Sequence, residues 1–225
     1  GDCRVYALYG NNGSILWYSD VPQDYLYHGG SFADVDEDEK PEIVIGCYDN
    51  HIYVLNAEDG SLAWQYAAPY YIGAPTSLGD LNNDGHIEIV CASNNEILVL
   101  SHTGSFLWNY VTGGTIFRGA ALADVDGNGV LDVVFGSDDG KLRVLRGNNS
   151  QLLWSYDLQA HYGKVFEMDH APVLADFDND GTLDVCIIGG YGTSATPETN
   201  YGRIYVLSAG NGSGPGWLMF RHDKK

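Results

Sequence analysis

The chain has 225 residues, 44% of them hydrophobic, and a formal net charge of −19. That composition allows a substantial core and argues against binding to a nucleic-acid backbone or an anionic lipid surface. No apolar run approaches the roughly 18 residues of a membrane span, and a start without a signal peptide or an initiator Met is expected of a mature or trimmed chain.

In chain order, the first recognisable unit is an alternating apolar run, Val5-Tyr6-Ala7-Leu8, followed by a turn and Trp17. The unit returns as Ile52-Tyr53-Val54-Leu55 with Trp64, Ile97-Leu98-Val99-Leu100 with Trp108, and Leu142-Arg143-Val144-Leu145 with Trp154. A fifth copy is Ile204-Tyr205-Val206-Leu207 with Trp217, whose tail, Gly216 to Asp223, is expected to form the last outer strand. The first four tryptophans are 47, 44 and 46 residues apart. Between these units lie four acidic nine-residue stretches: Asp34 to Glu42 (DVDEDEKPE), Asp80 to Glu88 (DLNNDGHIE), Asp124 to Asp132 (DVDGNGVLD) and Asp176 to Asp184 (DFDNDGTLD).

A period of about 45 residues made of short strands is the length of one four-stranded propeller blade. Alternation and turn residues place the strands of one unit at Ala74 to Leu78, Ile87 to Ala92, Glu96 to Leu100 and Ser105 to Tyr110. No stretch carries a 3.6-residue period, so helix content near zero is expected. The expected fold is an all-β propeller domain over 1–225, with four-stranded antiparallel blades. A half blade at 1–20 precedes four blades at about 21–66, 67–111, 112–156 and 157–225. Starting in mid-blade would leave an open edge, which native proteins avoid. A segment of a larger chain, closure by pairing of the two ends, or an oligomer is therefore expected. The last blade carries a long Gly/Ser/Thr/Pro connection over 189–203, a place where recognition can reside.

The acidic stretches carry the chemistry. Their first, third, fifth and ninth residues are Asp, Asn or Glu, and three of the four have Gly at the sixth. Closely spaced carboxylates repel unless a cation sits among them, and oxygen-only ligands in an irregular cage select Ca²⁺. An EF-hand would need Glu at the twelfth position, where Ile45, Cys91, Phe135 and Ile187 stand. Four bound ions would offset up to about eight charges. The plain alternative is a set of Asp/Asn/Gly turns with no ion. The first loop, with Glu39 in place of glycine and Pro41 at its exit, is expected to be the weakest.

Other features are less specific. Cys3, Cys47, Cys91 and Cys186 show no zinc spacing and are expected as free, buried thiols, although one disulfide stays open. Six residues before each loop stand His28, Ala74, Arg118 and His170, expected at the start of the innermost strand. With Asp169, and with Tyr27, Tyr70, Tyr71, Phe117 and Tyr162 near by, His28, Arg118 and His170 make a candidate ligand site at the channel mouth; solvated channel lining is the alternative. The sequons at Asn12, Asn148 and Asn211 are candidate glycan sites in turns on the outer edge. No GxSxG, HExxH, P-loop or dinucleotide fingerprint is present.

The loop D-x-D/N-x-D/N-G-x-x-D/E followed by an apolar strand resembles the FG-GAP (integrin-α-like) calcium-binding propeller repeat. The strand-turn-tryptophan unit is similar to the repeat of quinoprotein-type (PQQ-like) propellers. Those enzymes close a larger propeller around their quinone, and this chain has about half the blades. The FG-GAP resemblance implies as ligands the side chains at loop positions 1, 3, 5 and 9 with the carbonyl of position 7. These are Asp34, Asp36, Asp38, Lys40 and Glu42; Asp80, Asn82, Asp84, His86 and Glu88; Asp124, Asp126, Asn128, Val130 and Asp132; and Asp176, Asp178, Asp180, Thr182 and Asp184. Three to four Ca²⁺ ions are expected. The expected function is a non-catalytic calcium-binding module for adhesion or for a protein or glycan ligand, placed extracellularly, at the cell surface or in the periplasm. Two alternatives are part of a polysaccharide-degrading enzyme such as a calcium-dependent lyase, and a structural subunit of a surface assembly. Neither nucleic acid nor membrane insertion is expected.

Overall fold

A computed structural model describes residues 2–212. The strands form successive up-and-down antiparallel sheets. A half blade pairs β1 (Val5–Leu8) with β2 (Ile15–Ser19). Blade 1 consists of β3 (Ser31–Ala33), β4 (Glu42–Gly46), β5 (His51–Asn56) and β6 (Leu62–Ala67). Blade 2 consists of β7 (Ser77–Gly79), β8 (Glu88–Ser93), β9 (Glu96–Leu100) and β10 (Phe106–Val111). Blade 3 consists of β11 (Ala121–Ala123), β12 (Asp132–Gly136), β13 (Lys141–Arg146) and β14 (Leu152–Asp157). Blade 4 shows β15 (Val173–Ala175), β16 (Leu183–Tyr191) and β17 (Tyr201–Gly210). The expected outer strand around Trp217 lies outside the described residues.

The sheets of blades 2 and 3 are covered on both faces, which is why their middle strands are buried along nearly their whole length rather than alternately. Val44, Ile52 and Val54 of blade 1 pack against Ile89, Leu98 and Leu100 of blade 2. Val134, Leu142 and Val144 of blade 3 pack in the same way against Val185 and Ile187 of blade 4. The tryptophans lock these interfaces. Trp17 Nε1–H donates to the Ala57 carbonyl at 2.9 Å, Trp108 to Gly147 at 2.7 Å and Trp154 to Ala209 at 3.1 Å. Trp17 and Trp108 thus cap the turn between the two outer strands of the next blade, and Trp154 meets the end of β17. The ring lies so close to that turn that a Cβ on Gly60 would sit 2.5 Å from Trp17 Cε3, so only glycine fits there. Trp64 lies against Gly104 in the same way, its Cε3 2.8 Å from where a Cβ would sit, but has no partner for its Nε1. The turn it meets, 101–105, is one residue shorter than 56–61.

Three expectations need correction. The innermost strands are only three residues long and begin three residues after His28, Ala74, Arg118 and His170, which therefore lie on the approaches to the sheets. Pro75 and Pro172 offer no N–H to a ladder and end any earlier pairing. Helix content is near zero, as expected: the α-helix among the described residues, α1 (Leu158–Tyr162), is capped by Asp157, which accepts from Ala160 N–H, and is closed by left-handed Gly163. A second short turn, of 3-10 type, spans Pro197–Thr199. The 189–203 connection is not one long loop. β16 and β17 stay paired as far as Tyr191↔Tyr201, leaving 192–200 as the tip. Arg203 lies over the Tyr162 ring at 4.4 Å and Lys164 over Tyr201 at 5.3 Å, pinning this ribbon to α1. All four cysteines are free; Cys47 and Cys91 are buried, while Cys3 and Cys186 are partly exposed. No helix among the described residues is long and apolar enough to cross a membrane.

The two ends of the row of blades are unlike its middle. Leu142 and Val144 are 0% exposed, whereas Ile204 and Val206, at the same places in blade 4, are 66% and 52% exposed. Tyr6 and Leu8 are likewise exposed on β1, where their counterparts Tyr53 and Leu55 are buried.

Candidate metal centres and the channel mouth

Antiparallel connectivity puts the acidic loops, which join the first strand of a blade to the second, at one end of the sheets. The approaches to the blades and the turns between second and third strands gather at the other end.

All four acidic loops share one fold. The first Asp accepts backbone N–H groups from the far side of its own loop: Asp80 from Gly85 at 2.9 Å, Asp124 from Gly129 at 2.8 Å, Asp176 from Gly181 at 2.9 Å and Asp34 from Glu39 at 3.2 Å. The fifth residue accepts from the seventh: Asp38 from Lys40, Asp84 from His86, Asn128 from Val130 and Asp180 from Thr182. The fourth and sixth residues are left-handed in every loop, including Glu37, Asn83 and Asn179 at the fourth and Glu39 (φ 70°) at the sixth. Loop 1 therefore takes the common shape without its glycine.

The ninth residue is buried in each case: Glu42, Glu88, Asp132 and Asp184. One of its oxygens accepts the backbone N–H of the second residue: Val35 to Glu42 at 2.6 Å, Leu81 to Glu88 at 2.7 Å, Val125 to Asp132 at 2.9 Å and Phe177 to Asp184 at 3.0 Å. The other oxygen of Glu42 (Oε1) and of Asp132 (Oδ1) is buried without a partner. In three loops the ninth carboxylate joins those of the first and third residues within 4.8 Å: Asp34, Asp36, Glu42; Asp124, Asp126, Asp132; and Asp176, Asp178, Asp184. Loop 2 differs because its third residue is Asn82, whose Nδ2–H donates to Glu88 Oε1 at 3.2 Å. Burial pushes the Glu42 carboxyl up, Glu88 up to about 7 and Asp132 up to about 6, with the neighbouring Asp side chains adding to the effect.

The loops also touch one another. His86 of loop 2 meets Glu37 of loop 1, and Asn83 donates to the Gly129 carbonyl of loop 3 at 2.8 Å. Arg146 pairs with Asp126 at 2.8 Å and Lys40 with Glu58 at 2.9 Å. Asn12, Asn148 and Asn211 are exposed on the outer-edge turns.

At the opposite end, Arg118 bridges three blades. Its Nη1–H donates to His28 Nε2 at 3.0 Å and its Nε–H to the Asp169 carbonyl at 3.1 Å. His28, Arg118 and Asp169 thus come together, while His170 is an exposed neighbour. Beside them, Tyr27 stands 5.6 Å from Tyr48, which stacks on Tyr71 at 4.9 Å. Asp138 has a buried Oδ1 without a partner. Burial, together with Asp169, Glu167 and Asp139, pushes its carboxyl up to about 7. Asp139 goes the other way. Burial pulls it up, but the Arg143 guanidinium and Ser137 hydroxyl outweigh that and hold it at about 2. Tyr48 and Asp138 were not singled out by the sequence. Both sit two residues after the glycine that ends the second strand, Gly46 and Gly136, which is the signal that would have found them.

Comparison with known proteins bears on the fold. No curated protein matches the chain. The Vibrio cholerae biofilm matrix protein Bap1 is similar over 94% of this chain and 32% of its own, at 24% identity and a TM-score of 0.66. BamB from Moraxella catarrhalis is similar over 86% of this chain and 56% of its own, at 18% identity and a TM-score of 0.57. The quinohemoprotein alcohol dehydrogenase of Comamonas testosteroni is similar over 93% and 39%, at 13% identity and a TM-score of 0.64. The chain therefore spans between about a third and a little over half of these structures. The strand-turn-tryptophan repeat has its counterpart in a family model that matches residues 1–218, and on that match the chain belongs to the PQQ_2 family, described as outer membrane protein assembly factor BamB.

Proposed function

We propose that the chain is a non-catalytic, calcium-stabilised propeller module that works outside the cytoplasm, at the cell surface or in the periplasm, by binding a protein or glycan. The observation that carries the calcium reading is the buried ninth carboxylate of each loop. Burying a carboxylate with a bare oxygen, as at Glu42 and Asp132, costs several kcal/mol unless a cation compensates. Asp34 and Asp36, or Asp124 and Asp126, supply the remaining charge within reach. Oxygen donors alone, on a loop with two left-handed residues, suit a hard ion with irregular coordination. When bound, the ion supplies the positive charge that lets these carboxylates stay ionised together. The chain's own part is to hold them in place through backbone N–H groups.

Loops of this kind suit the millimolar calcium found outside cells. The family description, which places its members at outer-membrane assembly, supports an exported location and a role in binding other molecules. The FG-GAP-like character of the loops is our reading of their residue pattern. Thermal melting with calcium and with chelator tests the proposal. Calcium at about 100 times its dissociation constant adds about 2.7 kcal/mol per site, so chelation is expected to lower the melting temperature by several degrees. An unchanged melting curve would overturn it.

A further inference from the structure

The mouth where the approaches to blades 1, 3 and 4 meet at Arg118 combines groups that few ligands satisfy together. Tyr27 is 66% exposed, and its position is set by Tyr48, itself stacked on Tyr71 and set close to Gly73. One tyrosine face is thereby held out as a flat apolar platform whose ordering has been met by the fold. Next to it, Arg118 uses two of its five N–H groups on His28 and Asp169, leaving three as donors. None of the ion pairs among the described residues involves Arg118. Asp138, Glu167 and Asp169 add carboxylate acceptors, close enough that Asp169 and Glu167 help to push the Asp138 carboxyl up and Asp169 that of Glu167.

Charge decides between ligand classes. An anionic ligand would suit Arg118 alone while facing three carboxylates and a chain of net charge −19. A cationic ligand would pair with the carboxylates but leave the remaining Arg118 N–H groups without an acceptor, and a purely apolar ligand would leave donors and acceptors alike unpaired. A sugar has hydroxyls that donate to carboxylates and accept from a guanidinium, and an apolar C–H face that lies on an aromatic ring. We infer that the mouth formed by Tyr27, Tyr48, Arg118, Asp138 and Asp169 binds a neutral, hydroxyl-rich saccharide. This deepens the binding-module reading above and rests on it.

The experiment is titration calorimetry of the full chain, in calcium, with cellohexaose, laminarihexaose, maltohexaose and, as the acidic arm, hexagalacturonate. Binding of at least one neutral hexasaccharide is expected, with Tyr27→Ala and Arg118→Gln each weakening it at least about tenfold, which is roughly 1.4 kcal/mol. Tyr27 is an exposed side chain, so its substitution keeps the fold; the calcium-dependent melting shift, measured on every variant, checks this. The inference is overturned if no neutral hexasaccharide binds, if only hexagalacturonate does, or if both substitutions leave binding unchanged. A preserved calcium shift alongside any of those results would separate failure of the saccharide inference from failure of the calcium reading.

Discussion

At the scale of single residues, loop 1 shows that a shape can be kept without the residue that favours it. Glu39 adopts φ 70° where the other loops have glycine, and the left-handed conformation costs a residue with a Cβ about 1–2 kcal/mol. Glu39→Gly is therefore expected to raise the stability of the metal-free protein by about 1 kcal/mol, read as a higher urea midpoint at unchanged slope. The buried carboxylates predict a pH dependence. Glu88 at about 7 and Asp132 at about 6 lie above their ordinary values. A group raised in this way stabilises fully below its unfolded pKa, about 4, and loses that contribution as pH rises through its folded pKa. In chelator, denaturation midpoints should fall between pH 5 and pH 8. In calcium the trend should reverse over the same range, because the ion takes only the ionised form. A metal-free midpoint that rises with pH would contradict the placement of these groups.

The elements that repeat were the ones legible in the sequence. β9 begins and ends at Glu96 and Leu100 as the alternation indicates, and the acidic loops fall where their Asp spacing puts them. The innermost strands are shorter than the pattern indicates because Pro75 offers no N–H to a ladder and Gly119, with φ 76°, takes the backbone before Ala121 out of the extended region. α1 is a single turn held by Asp157 and Gly163, too short to show a helical period. The β16–β17 ribbon was hidden because Gly189 and Gly190 break the alternation. A Cβ on Gly190 would lie 2.1 Å from the Tyr201 carbonyl, so its glycine marks close strand approach, not a loop. Tyr48 and Asp138 belong to the mouth only through the relative placement of blades, which no local pattern reports. The tryptophans give the sharpest test at this scale. Trp108 donates to Gly147, while Trp64 meets a shorter turn and leaves its N–H unpaired. Trp108→Phe should cost about 1–2 kcal/mol more than Trp64→Phe, because only the first breaks a hydrogen bond. Equal losses in paired denaturation curves would refute the docking account.

For the whole molecule, a propeller is a row of sheets in which each blade completes its neighbour's core. Its ends show what that completion is worth. Leu142 lies between blades 3 and 4, whereas Ile204 holds the same place on blade 4 with its side chain exposed. Leu142→Ala should cost about 2–5 kcal/mol, and Ile204→Ala less than about 1 kcal/mol in the same chain, since little apolar area leaves water there. The loops add a second kind of connection, because Glu37–His86 and Asn83–Gly129 tie loops 1, 2 and 3 side by side along one end. The central claim is that this end holds cations. Titration calorimetry of the metal-free chain with calcium tests it most directly. Three to four ions should bind, with Asp132→Asn removing one of them while leaving the chain folded. Heats no larger than dilution, in a protein whose melting curve shows it folded, would contradict the account.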